Sequence, residues 1–412
     1  MKRIVLGSIF VVLIAALAGA QTFRGAISGT VTDPSGSVVP NAQVTATDTA
    51  TATEHKTTTT TDGAFVFQDL PLGTYKVTVI ASGFATTTTD NVPVTAGQVY
   101  SLPVKLGLAK QATTVEVSAA AIALDTTTPT QTFTISEQAV QDLPLNGRDF
   151  SQIIGASAGY GGYSVGGFGS LNGTRANQMN WQLDGTDNND VWHNIPAVNQ
   201  GGVSGIAGVI MPIDAVEDFT SETQSNAETG RNAGGTVNVV VKSGTNQFHG
   251  DAYYYNRNGY YSATSPFFIP SKVVPKPPPL TNQNVGGTLG GPLIKDKLFF
   301  FIGYEYQTYK LGLSGLSTEP SAAWVGQAIN LMKQSGCFLT TCPVNPLSQT
   351  LLANLWPNSI VGRPATLNNY FSPSAGTGFS NNGVVKIDWN VNTNNTISFR
   401  WFGGQGSQTQ PP

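Results

Sequence analysis

Three histidines and two cysteines in 412 residues leave little for soft-metal or thiol chemistry. A zinc site takes about four nitrogen or sulfur ligands, and His55, His193 and His249 are scattered far from Cys337 and Cys342. Charge is scarce too: 11% of residues are charged, against about 25% in an ordinary soluble domain. Few helices with salt-bridged faces can be built from so little. The formal net charge of -3 and the scattered placement of 21 Lys and Arg provide no basic field, so nucleic acid is excluded as a partner. Long apolar runs are confined to the first 20 residues, which excludes a later membrane-spanning helix. What the chain does have is 46 Gly and 24 Pro, a composition of turns and extended segments, over a length that fits two to four domains.

The opening stretch, "MKRIVLGSIFVVLIAALAGA", places Lys2 and Arg3 before an apolar run and ends in Ala18-Gly19-Ala20. That is the three-part layout of a secretory signal, so residues 1–20 are expected to be cleaved near Ala20. Export brings Cys337 and Cys342 into an oxidising compartment. Either a local disulfide or two free thiols fits the sequence, and export favours the disulfide.

Residues 21–107 alternate with period two in "GAISGTVTD", "AQVTATDT", "GAFVFQDL", "TYKVTVIA" and "QVYSLPVKL", with turn signals between them. Tyr75, Val77 and Val79 share one face and Lys76 and Thr78 the other, which predicts a small antiparallel sandwich. "GTVTDPSGSVVPNAQVTATD" and "TTTDGAFVFQDLPLGTYKVTVIASGF" resemble the carboxypeptidase regulatory-like domain, a transthyretin-like β-sandwich. The resemblance carries no catalytic implication: His55 stands in a threonine-rich strand with no Glu-His partners and reads as a surface residue.

Residues 108–135 are small and threonine-rich, as in a connector, with one extended piece at 114–118 that could close the sandwich or open the next domain. From 136 to 246 the pattern is α+β, beginning with a short helix that Ser136 precedes, Glu137 enters and Pro144 ends. Motifs of catalysis fail here on context. Gly155-Ala156-Ser157-Ala158-Gly159 fits a nucleophile elbow, but the glycines that follow cannot form the helix it requires. "DGTDNND" from Asp184 gathers carboxylates as a calcium loop would, yet its sixth and twelfth positions are Asn189 and Ile195, so a turn held by Asp and Asn side chains is expected. No catalytic residue, metal site or cofactor is read from the chain.

Residues 247–412 change character. Leu298, Phe300, Ile302, Tyr304 and Tyr306 fall on one face of a strand, with Phe299, Phe301, Gly303, Glu305 and Gln307 on the other. Val385, Ile387, Trp389 and Ile397, Phe399, Trp401 repeat the scheme against Lys386, Asp388 and Thr396, Ser398, Arg400. Strands of about ten residues, apolar outward and polar inward, cross an outer membrane.

Leu143-Pro144-Leu145-Asn146-Gly147-Arg148, Leu183-Asp184-Gly185, the run Pro212 to Phe219 and Gly230 through Asn246 resemble the plug of a TonB-dependent outer-membrane receptor. "NQFHGDAYYYNRN", "NVGGTLGGPLIKDKLFFFIGYEYQ" and "DWNVNTNNTISFRW" are similar to the first barrel strands of its Oar-like branch. The resemblance implies a mainly β chain: sandwich, plug over 136–246, and the opening strands of a barrel over 247–412. It places a plug-to-barrel seam at Gly230, Arg231, Gly234, Gly235, Lys242, Gly244 and Asn246. It also places a TonB box before the plug, for which Thr113, Thr114, Val115, Glu116, Val117, Ser118 and Ala119 are the candidate. The implied partners are TonB of the inner-membrane energising complex, outer-membrane lipid and an extracellular ligand of unknown class. Cys337 and Cys342 would then lie in an extracellular loop. Such barrels have about 22 strands, and this chain has room for about five, so it reads as an N-terminal portion. The competing expectation is an exported β-sandwich adhesin or scaffold, which would bury Phe300, Ile302, Ile397 and Phe399 in protein.

Overall fold

The computed structural model describes residues 24–108, 116–118, 132–143, 145, 148–163, 169–191, 194–196, 211–223, 234–264, 277–312, 315–337, 345–355, 365–367, 369–372, 375–392 and 395–409. The signal-like residues 1–20 lie outside these.

The first domain has strands β1 (Gly25–Thr32), β2 (Gln43–Asp48), β3 (Glu54–Thr58), β4 (Ala64–Leu70), β5 (Gly73–Ile80), β6 (Thr87–Val94), β7 (Val99–Ser101), β8 (Val104–Lys105) and β9 (Glu116–Ser118). One sheet runs β4-β1-β7, with β8 also on β1, and the other runs β3-β2-β5-β6-β9. Ile27, Val31, Phe65 and Phe67 from the first meet Val44, Tyr75, Val77 and Val79 from the second in a continuous apolar core. Burying each such side chain contributes about 1.5–3 kcal/mol before chain entropy is counted. Tyr75 solves the problem of its own hydroxyl by donating it to the Pro71 carbonyl at 2.9 Å.

The sandwich differs from expectation in three ways. It is not purely antiparallel: β7 and β8 run parallel to β1, and β9 parallel to β6. The strand expected over "QVYSLPVKL" breaks at Leu102-Pro103, because proline cannot donate to the ladder. Finally, β6 occupies "TTTDNVPV", whose Asp-Asn and Pro imitate a turn.

The middle domain comprises β10 (Thr132–Ser136), α1 (Glu137–Asp142), β11 (Tyr160–Tyr163), β12 (Gly169–Leu171), β13 (Asn180–Leu183), β14 (Thr186–Asp187), β15 (Val216–Glu222) and β16 (Thr236–Val241). Its main sheet runs β10-β15-β16-β13-β14, and β11 and β12 form a separate hairpin. The expected short helix stands where Ser136 and Pro144 put it, as α1. The expected linker holds two strands: β10 pairs with β15, and β9 with the sandwich. Strand β16 is parallel to β13, antiparallel to β15 and buried along its whole length. A strand covered on both faces reads as a continuous β-branched run, which accounts for "TVNVVV".

The third region has β17 (His249–Asn258), β18 (Leu280–Ile294), β19 (Leu298–Gly312), β20 (Gly315–Ser317), α2 (Ala322–Gln334), α3 (Pro346–Leu355), β21 (Tyr370–Ser372), β22 (Ala375–Asn392) and β23 (Asn395–Thr409). Its five long strands form an open sheet in the order β17-β18-β19-β22-β23. Among the described residues no helix is long and apolar enough to cross a membrane.

Two compact units divide the chain. The first comprises residues up to Tyr253 with Gly286–Tyr306 and Asn381–Gly406. The second comprises Tyr254–Val285, Gln307–Ser380 and Ser407–Pro412. The second holds α2 and α3, whose Trp324, Val325, Ala328, Leu351 and Leu352 line an apolar groove. Ser321 caps α2 by accepting the Trp324 N–H at 3.2 Å. Cys337, just beyond α2, is disulfide-bonded, and the chain's only other cysteine, Cys342, lies outside the described residues.

Candidate functional site at the domain seam

The passage from middle domain to long-stranded sheet is built at residues 234–246. Gly235 adopts φ +101°, and a Cβ there would sit 2.7 Å from the Glu222 carbonyl oxygen, so a side chain is refused on two counts. Gly244 lies against the carbonyl oxygens of Phe300 and Gly291, leaving no room for a Cβ. After the turn, Asn246 and Asp296 exchange hydrogen bonds: the Asn246 amide donates to Asp296 Oδ1 at 2.7 Å, and the Asp296 N–H donates to Asn246 Oδ1 at 2.8 Å. That exchange ties the start of β17 to the β18–β19 turn. Of the predicted seam residues, Gly230 and Arg231 lie outside the described residues.

Two buried charge networks join the middle domain to the inner face of the long strands. In the first, Arg148 donates to Asp214 Oδ2, stands 3.9 Å from Glu305 on β19, and stacks its guanidinium 5.2 Å above the Tyr253 ring on β17. The Tyr253 hydroxyl donates to Glu305 at 3.0 Å. Burial raises the Asp214 pKa, and the Arg148 charge opposes that rise.

In the second, Asp184 leaves β13 at a positive φ of 47° and aims its carboxylate back under the sheet. Its Oδ1 accepts the Val241 N–H at 2.9 Å, while Oδ2 faces Arg400 Nε on β23 at 2.6 Å and Lys386 Nζ on β22 at 3.6 Å. Lys386 also donates to the Val241 carbonyl at 2.6 Å. Close by, Lys242 pairs with Glu137 at 2.7 Å. Burial pushes the Glu217 carboxyl up to about 8 against the pull of Lys386, and pushes Asp218 up to about 6 although Asp218 accepts the Ala96 N–H.

A cavity of about 350 Å³ opens beneath this second network. Its walls include Asp48 and His55 of the sandwich, Asp184 and Lys242 of the middle domain, and Lys386 and Arg400 of the long strands. His55 is therefore not the surface residue expected: it is half-buried beside Tyr75, and desolvation lowers its pKa. Among the described residues no group of three or more His, Cys, Asp or Glu could hold a metal ion. Ser157 sits in the interior at the end of a 3-10 turn and accepts the Ser221 hydroxyl at 2.8 Å, which is not the geometry of an exposed nucleophile. Likewise the turn after Asp184 is held by side chains, with Asn189 Oδ1 accepting the Trp181 N–H at 3.0 Å.

Residues 240–412 match the outer membrane beta barrel domain family, and residues 26–107 the carboxypeptidase regulatory-like domain family. Over 143 residues the chain is 32% identical to the TonB-dependent transporter Oar of Myxococcus xanthus, covering 33% of this chain and 12% of that protein. Over that stretch the chain is similar to a TonB-dependent transporter. Among solved structures, the siderophore receptor PirA from Acinetobacter baumannii aligns at 15% identity and a TM-score of 0.40, over 68% of this chain and 32% of that one. A variant of the ferric enterobactin receptor from Pseudomonas aeruginosa aligns at 15% identity and 0.37, over 67% and 33%. The chain thus spans about a third of these receptors and 12% of Oar.

The barrel-family match begins at residue 240, inside β16 and just ahead of Lys242. Of the candidate TonB box, Glu116, Val117 and Ser118 form β9, while Thr113, Thr114, Val115 and Ala119 lie outside the described residues. Sequence reasoning placed Asp184 and Arg148 in motifs without assigning them partners.

Proposed function

We propose that this chain is the N-terminal part of a TonB-dependent outer-membrane receptor, with residues 136–246 as the plug and β17–β19, β22 and β23 as the opening strands of the barrel wall. One observation carries the reading: the long-stranded sheet leaves apolar side chains on its open face, while its covered face buries charged groups beside Phe301 and Val384. Ile302 is 44% exposed and Phe399 57%, whereas Glu305 and Lys386, on the opposite face, are 2% and 6% exposed and joined to the middle domain. A soluble sandwich would bury the apolar side and wet the charged one; a barrel wall does the reverse, since its outer face meets lipid. The adhesin or scaffold alternative is accordingly disfavoured.

In this reading residues 1–20 direct export and are removed, residues 113–119 pair with the periplasmic domain of TonB by strand addition, and the protein works as a ligand carrier with no catalytic step. The loop beyond α2 faces outward, clipped by a Cys337–Cys342 disulfide, and peptide mapping of non-reduced protein finds that link. The wall is tested by placing a cysteine at Phe399 or Ser398 in outer membranes. Phe399→Cys reacts with a lipid-soluble maleimide and resists a charged one; Ser398→Cys does not show that preference. Equal reactivity of Phe399→Cys toward both reagents sinks the barrel reading.

A further inference from the structure

Two turns of the sandwich reach other parts of the molecule. The turn from β2 to β3 meets the long strands: the Ala50 carbonyl accepts the Asn246 N–H at 2.9 Å, and Thr53 Oγ1 accepts Asn390 Nδ2 at 3.0 Å. The turn from β6 to β7 meets the middle domain: the Ala96 N–H donates to Asp218 Oδ2 at 3.3 Å, and Gln98 Nε2 donates to Thr134 Oγ1 at 3.4 Å. One small domain therefore grips both sides of the seam.

The contact with the long strands is preshaped on each side. In the sandwich, buried Asp48 accepts the Ala50 N–H at 2.7 Å and the Thr51 N–H at 3.2 Å, and Ala52 closes the turn at φ +57°. Opposite it, the Asn246 side chain is spent on Asp296, which leaves the Asn246 backbone N–H to meet Ala50. The Asn390 N–H donates to the Lys297 carbonyl at 2.7 Å and Asn390 Oδ1 accepts the Thr396 hydroxyl at 3.2 Å, an arrangement that turns Nδ2 toward Thr53. Groups already held in place lose little freedom on docking, so a few hydrogen bonds suffice to seat a rigid domain. Behind them a cavity of about 350 Å³ lies among the three parts, so packing adds little there and the direct hydrogen bonds take a larger share of the hold. Asn246, Lys297 and Asn390 lie at or beside the seam and the short turns Ile294–Leu298 and Asn392–Asn395. Short turns mark the periplasmic end of such a barrel.

We propose that the sandwich is a strut between plug and wall: it stands on the periplasmic rim at Asn246 and Asn390, leans on the middle domain at Asp218 and Thr134, and so opposes displacement of the plug within the barrel. The proposal rests on the receptor reading above. A strut acts through contacts in series, so freeing its foot on the rim removes its effect even while its contact with the middle domain persists. The carboxypeptidase regulatory-like domain thereby acquires a mechanical part in keeping the receptor closed.

The full-length receptor in a planar bilayer tests this, with potassium chloride as the permeating probe and urea to loosen the plug. Thr53→Val, which removes the acceptor of Asn390, is expected to raise the rate of channel opening at fixed urea about fivefold, the factor that one hydrogen bond of ordinary net strength supplies. Asn390→Ala should act alike, the two together should add nothing to either alone, and Thr53→Ser, which keeps the hydroxyl, should behave as the unmodified receptor. Joining the ends should do the reverse: Thr53→Cys with Asn390→Cys, once oxidised, should open more slowly than when reduced. Equal opening rates for Thr53→Val and the unmodified receptor overturn the strut, as does failure of the paired cysteines to link. Faster opening accompanied by new proteolytic cleavage within residues 24–108 would mean a loosened sandwich and overturns it too. A receptor that conducts at no urea concentration overturns the receptor reading instead, and the strut falls with it.

Discussion

The sandwich keeps its ion pairs outside, and the middle domain buries those of Asp184 and Arg148. Lys56 meets Glu54 at 2.8 Å and Lys76 meets Asp90 at 3.4 Å with all four side chains largely in solvent, over an apolar core. In the middle domain Asp184 is 3% exposed on its side chain and faces two cations from the long strands, and Arg148 is sealed between Asp214 and Glu305. A surface pair contributes little, whereas a buried pair scarcely repays its desolvation yet is costly to break from one side. The first domain is therefore held by burial that nothing in the molecule needs to undo. The second is fixed in one register by polar contacts that can be exchanged for water.

The largest effect is expected where that contrast is sharpest. Asp184→Ala would leave Lys386 and Arg400 buried against no carboxylate and remove the acceptor of the Val241 N–H. A loss of about 4 kcal/mol is expected, read as a lower urea midpoint in the fluorescence of buried Trp181, while the sandwich transition stays in place. Asp184→Asn keeps an acceptor for Val241 and should lose less. Next comes the apolar counterpart: Ile27→Ala empties a fully buried site in the sandwich core, at a cost of about 3 kcal/mol. Limited proteolysis should find that loss within residues 24–108 and leave the middle domain protected. If each variant melted both domains equally, the two would form one cooperative unit and the contrast would fail.

A smaller and graded effect separates the domains by pH. Asp218 and Glu217 have folded pKa values of about 6 and about 8, above their ordinary values of 3.8 and 4.5. The folded middle domain therefore holds protons that the unfolded chain releases. Their stabilising contribution is full below the ordinary values and is lost as pH rises through about 6 for Asp218 and about 8 for Glu217. The urea midpoint of the middle domain should fall steadily across that window, and Glu217→Gln should flatten its upper half. A midpoint that rises with pH over the same range would contradict the burial argument.

What could be read in advance followed from periodicity. The alternation in Leu298–Gly312 assigned Phe301 and Glu305 to one face and Ile302 and Tyr304 to the other, as the structure has them. What escaped depends on distance along the chain. Nothing near Asp184 announces Lys386 or Arg400, because only the closing of sheet upon domain brings them together. Helix α2 was legible but unread: Ser321 caps it, and Trp324, Val325, Ala328, Leu331 and Met332 recur at helical spacing. β6 failed for a local reason, since Asp90-Asn91 and Pro93 are turn residues that here form a bulged strand instead.

The smallest effect is the control on which the contrast depends. Lys76 and Asp90 lie 3.4 Å apart on adjacent strands β5 and β6, with side chains 51% and 38% exposed. Water solvates both ions well whether or not they touch, and salt at physiological strength screens their attraction. Holding two mobile side chains together costs rotamer entropy that offsets most of what remains. Lys76→Ala is therefore expected to change sandwich stability by less than about 0.5 kcal/mol, and that difference should vanish when salt is raised to about 1 M, where the screening length falls to about 3 Å. A double-mutant cycle with Asp90→Ala isolates the pair itself. A coupling as large as the loss at Asp184 would mean that burial does not decide how these charges act, and the division of labour between the two domains would have to be drawn on other grounds.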